Sequence, residues 1–102
     1  MEIVIRHIED CPNLDTAEER VRTALRAVGV VDATLRRELV RDLPGAERLG
    51  FIGSPTIVID GVDPFADHAG SVALACRLYH SPTWPAGAPS VEELERAIEG
   101  RT

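Results

Sequence analysis

The chain has 102 residues, a formal net charge of -6, eleven basic residues that are all arginine, and few aromatic residues. That length suits one domain with a single aliphatic core, and the domain is taken as residues 1–102. The arginines are scattered among acids, which argues against nucleic acid or an anionic membrane surface as a partner. Apolar runs fall well short of the roughly 20 residues a membrane span requires, and no basic-then-apolar segment opens the chain, so the expected compartment is the cytoplasm.

The N-terminal stretch Glu2 to Ile8 is rich in β-branched residues and reads as a strand with apolar residues on both faces, hence an inner strand. After Cys11 and Pro12, apolar residues recur at three- and four-residue spacing from Leu14 to Val28 and stop at Gly29. This is an amphipathic helix with a glycine stop, and Pro12 suits its first turn because the amide it lacks would be unpaired there. Residues 33–40 alternate apolar and polar positions, interrupted by Arg37, and predict an edge strand. Asp42 to Leu49 is a short helical candidate, confined to one or two turns by Pro44 and Gly45.

Ser54 to Gly61 reads as a strand that begins at Pro55 and ends in an Asp-Gly turn, so a hairpin is expected. Residues 62–71 look like a loop, and a return strand is expected around Ala75 to Tyr79. The proline-rich stretch 81–89 is irregular. Ser90 and Glu93 form a capping box that opens a final amphipathic helix through Val91, Leu94, Ala97 and Ile98.

The order is β-α-β-α-β-β-α. It predicts an α/β three-layer sandwich with a mixed four-stranded sheet, in which the first three strands need crossover helices and the last pair forms a hairpin.

Two cysteines, Cys11 and Cys76, lie far apart and lack the paired spacing of a zinc site. The histidines His7, His68 and His80 form no ligand motif with them, so nothing points to a metal or other cofactor. Cys11 stands where strand gives way to helix, beside unpaired helical amides and the positive end of the helix dipole. That position favours thiolate, the reactive form, while the neighbouring carboxylates Glu9 and Asp10 oppose it.

The cysteine before the first helix and Gly53-Ser54-Pro55-Thr56 at the third strand together resemble the thioredoxin superfamily over most of the chain. Asp10-Cys11-Pro12-Asn13, Asp63-Pro64-Phe65, Cys76-Arg77-Leu78-Tyr79 and Gly87-Ala88-Pro89-Ser90 resemble, more narrowly, a group of small bacterial thioredoxin-like proteins. The resemblance implies a thioredoxin-like domain, a cis-proline at Pro55 facing the nucleophile Cys11, and a substrate segment held by Ser54. Pro12 and Thr56 join the substrate-binding candidates on the same ground.

One departure matters. Leu14 stands where Cys-x-x-Cys would put its second cysteine, so the dithiol route is closed within the motif. The functional expectation is therefore a thiol protein in which Cys11 forms mixed disulfides with a low-molecular-weight thiol or a thiol protein; Cys76 is either a distant resolving thiol or an inert buried residue, an outside thiol then resolving Cys11. The alternatives are a non-catalytic binding module and a soft-metal site on Cys11, joined by Cys76 where the two approach. His80 is a candidate acid or base near the active end. Tyr79 and Trp84 either cap the core or stack on a ligand.

Overall fold

A computed structural model of the chain describes residues 1–66, 74–75, 77, 79 and 87–101. Three strands and three helices alternate along it: β1 (Glu2–His7), α1 (Leu14–Val28), β2 (Thr34–Leu39), α2 (Leu43–Leu49), β3 (Thr56–Ile59) and α3 (Val91–Glu99).

Among the described residues the sheet has three strands in the order β2-β1-β3 rather than the expected four. β1 is the inner strand and β2 an edge, as the apolar pattern of each implies. β2 runs parallel to β1, and β3 runs antiparallel to it with Ile3 opposite Ile59 and Ile5 opposite Ile57. Only the β1–β2 connection is therefore a crossover between parallel strands.

The expected return strand is the main correction. After the Asp60–Gly61 turn, antiparallel pairing with β3 among the described residues is limited to one bridge between Ile59 and Val62. The chain then turns away, because the Asp63 carboxylate accepts the Phe65 amide at 2.9 Å and Pro64 has no amide to give. Residues 75, 77 and 79 are not part of a named strand. The first two bond to Ser54, upstream of β3, instead of lying along Thr56–Ile59: the Ser54 amide donates to the Ala75 carbonyl and the Arg77 amide donates to the Ser54 carbonyl, both at 2.8 Å.

The odd-numbered side chains of β1 and β3 face the helices. Ile3, Ile5, Ile57 and Ile59 pack with Ala17, Val21, Ala24 and Leu25 of α1 and with Leu94 and Ile98 of α3. Each fully buried side chain of this size contributes roughly 1.5–3 kcal/mol before the entropy of ordering is subtracted. The even-numbered residues Val4 and Val58 are also buried. At the end of that second face Ile8 joins a smaller cluster of Val40, Ala46 and Phe51, which anchors α2.

Helix boundaries follow local chemistry. Asp42 accepts the Gly45 amide to cap α2, and Ser90 and Glu93 exchange the two bonds of the capping box at the start of α3. α1 begins later than the sequence implied. Asn13 is its N-cap and makes no side-chain cap bond, so Pro12 precedes the helix instead of occupying its first turn.

Candidate functional site

Cys11 is a free, half-buried cysteine in the turn between β1 and α1. Its carbonyl accepts the Leu14 amide at 3.4 Å and Asn13 accepts the Ala17 amide at 2.9 Å, which sets the turn directly ahead of the helix. Because Asn13 supplies no side-chain acceptor, the first amides of α1 lack a side-chain partner from the cap. The preceding residue, Asp10, has φ of 54°, in the left-handed region. Asp10, Glu9 and Pro12 are exposed.

The same turn touches the segment that opens β3. The Ile8 amide donates to Ser54 Oγ at 3.1 Å, joining the strand that leads into Cys11 to the residue before Pro55. The Ser54–Pro55 peptide bond is cis. Ser54 is fully buried, and its amide, carbonyl and hydroxyl oxygen are all engaged within the chain. The backbone groups expected to hold a substrate strand are thus already bonded to residues 75 and 77. Thr56 is buried and donates its hydroxyl to the Gly53 carbonyl at 2.6 Å, closing the turn that carries Pro55.

Behind this turn lies a cluster whose residues the sequence singled out only as separate motifs, not as partners. The Arg77 guanidinium is buried, with 6% exposure, and is ion-paired to Asp63 at 2.8 Å. It also donates to Thr56 Oγ1 at 3.4 Å and to the Phe65 carbonyl, and it lies 4.6 Å from the centre of the Tyr79 ring. Phe65 meets that ring edge-on at 5.6 Å. The Tyr79 hydroxyl donates to the Pro55 carbonyl.

Burial pushes the Tyr79 phenol well above its usual range; Arg77 opposes the shift, and the charges of Asp63 and Cys11 add to it. The signal in the sequence was an arginine and a tyrosine inside an apolar run, with an aspartate upstream to neutralise the charge.

Comparison with family models, with curated proteins and with solved structures finds no match.

The structure brings Cys11, Ser54, Pro55 and Thr56 to one end of the sheet, with Pro12 exposed beside the thiol. Cys76, His68, His80 and Trp84 lie outside the described residues. His7 directs Nδ1 to the Ile8 carbonyl at 2.9 Å. Among the described residues no group of three or more metal-ligating side chains converges, and no helix is long and apolar enough to cross a membrane.

Proposed function

We propose that this chain is a thiol protein in which Cys11 acts as a single nucleophile in thiol–disulfide exchange. The observation that carries the reading is a half-buried free cysteine just ahead of α1, at a helix start whose cap makes no side-chain bond. Such a position sets Cys11 directly before helix amides that have no side-chain acceptor from the cap.

In the reaction the Cys11 thiolate attacks one sulfur of a disulfide RSSR. A bond forms between Cys11 Sγ and that sulfur, the original S–S bond breaks, and RS⁻ leaves and takes a proton from water. A different thiolate R′S⁻ then attacks the R sulfur of the mixed disulfide; the new S–S bond forms as the Cys11–S bond breaks, releasing RSSR′ and restoring the Cys11 thiolate. With Leu14 in the fourth position of the motif, the attacking thiol of that second step comes from outside the motif. The amide and carbonyl of Ser54 are committed to residues 75 and 77, so the partner docks without strand pairing at Ser54. That favours a compact disulfide such as a low-molecular-weight thiol pair.

The test is alkylation by iodoacetamide at neutral pH, followed by peptide mass spectrometry, in the native chain, the denatured chain and the Cys76→Ser variant. Native Cys11 is expected to react several-fold faster than the same residue in the denatured chain and to take up one glutathionyl group from oxidised glutathione. Native labelling no faster than denatured, or no mixed disulfide on Cys11, overturns the reading.

A further inference from the structure

β2 forms the edge of the sheet and pairs, among the described residues, with β1 alone. The amides of Thr34 and Val40 donate to the carbonyls of Met1 and His7. Backbone groups alternate sides along a strand, so the even-numbered residues of β2 bond inward. Leu35, Arg37 and Leu39 turn their amides and carbonyls outward. Thr34, Arg36 and Arg37 are exposed, and nothing described covers the row.

Two copies of such an edge can pair antiparallel about a two-fold axis only if outward residues meet outward residues. Within the strand's centre, the axis then falls on residue 36, 37 or 38. An axis on Arg36 sets Arg36 against its own copy and Leu35 against Arg37. An axis on Glu38 sets two carboxylates against each other. An axis on Arg37 sets Leu35 opposite the partner's Leu39 and Arg36 opposite the partner's Glu38, each pair occurring twice.

The remaining like-charged pair, Arg37 on the axis, is already neutralised within each chain. Arg37 bonds to Glu18 and Asp15 of α1, each at 2.9 Å. Glu38 accepts from Arg6 at 2.8 Å and from Arg36 of its own chain at 3.2 Å on the opposite face, so the Arg36 guanidinium already lies on the face where the partner's Glu38 would sit.

We infer that β2 is a self-association edge, through which two copies of this chain join antiparallel about Arg37 into one continuous six-stranded sheet. Each outward pair exchanges both backbone bonds, and the Leu35–Leu39 contacts and Arg36–Glu38 ion pairs fix the register.

Sedimentation equilibrium from micromolar to millimolar chain concentration tests the inference, with circular dichroism checking the fold of each variant. The expected result is a mass rising toward twice that of one chain. Arg37→Pro removes an outward amide without touching a bond to β1 and is expected to abolish the rise. Arg36→Glu, which puts a carboxylate opposite the partner's Glu38, is expected to weaken association at least ten-fold, and it supplies the answer if the proline variant fails to fold. A single-chain mass throughout, or association that survives both substitutions, overturns the inference. Loss with Arg37→Pro but not with Arg36→Glu overturns the Arg37-centred register.

Discussion

The Tyr79 hydroxyl donates to the carbonyl of Pro55, tying a residue downstream of the Arg77 ion pair to the cis-proline turn that opens β3. Tyr79 is the sole tyrosine of the chain, so its ionisation can be followed by absorbance near 295 nm. Its folded pKa is raised by burial above the unfolded value of about 10. The native state therefore holds a proton that the unfolded state releases at high pH. The stability linked to this group is fully present below about pH 10 and is lost as pH rises above it. Denaturant unfolding of the wild type is expected to weaken across that window, and Tyr79→Phe to flatten this part of the decline. Tyr79→Phe also removes one buried hydrogen bond and is expected to cost about 1–2 kcal/mol at neutral pH.

Asp63 and Arg77 form the innermost ion pair described. Asp63→Ala leaves a buried guanidinium with only neutral acceptors at Thr56 and Phe65 and is expected to cost about 3 kcal/mol. Arg77→Met keeps the aliphatic stem and drops the charge. The double variant is expected to lose clearly less than the two single losses combined, which a double-mutant cycle in urea measures directly. Strict additivity would show that the pair is not coupled.

Gly53 and Gly87 are predicted to respond differently to alanine. Gly53 has φ of 141°, and an added Cβ would lie 2.8 Å from Arg77 Cβ and 3.0 Å from its Cα. Neither backbone can yield cheaply, so Gly53→Ala is expected to cost more than about 2 kcal/mol. At Gly87 the obstacle is the Asn13 side chain, 2.3 Å from the same point. Because a side chain can rotate away, Gly87→Ala is expected to be milder and to be relieved by Asn13→Ala. Midpoints of chemical unfolding for the three variants check the order.

The helices were legible because their signals are local. The spacing in α1, Asp42 ahead of Pro44, and Ser90 with Glu93 each mark an element within one or two turns of sequence. The edge position of β2 was readable from its mixed polarity. The destination of residues 75–77 was not. Ala75 and Arg77 meet Ser54 from far along the chain, and nothing in an alanine- and leucine-rich run says which backbone it will join. The same distance hid the Arg77 cluster, since Asp63 and Thr56 become its partners only after the chain folds. For the candidate site, Cys11 and the Ser54–Pro55 segment were selected from position and resemblance. The engagement of Ser54 by its own chain was not visible, because hydrogen-bond occupancy is a property of three dimensions.

The left-handed backbone of Asp10 has a practical meaning. An aspartate tolerates that conformation, but glycine adopts it without steric cost. Asp10→Gly would therefore leave the course of the turn intact while deleting a carboxylate immediately before Cys11. Charge beside the thiol and the shape of the loop that presents it are separable at this one position, so the two can be tuned independently.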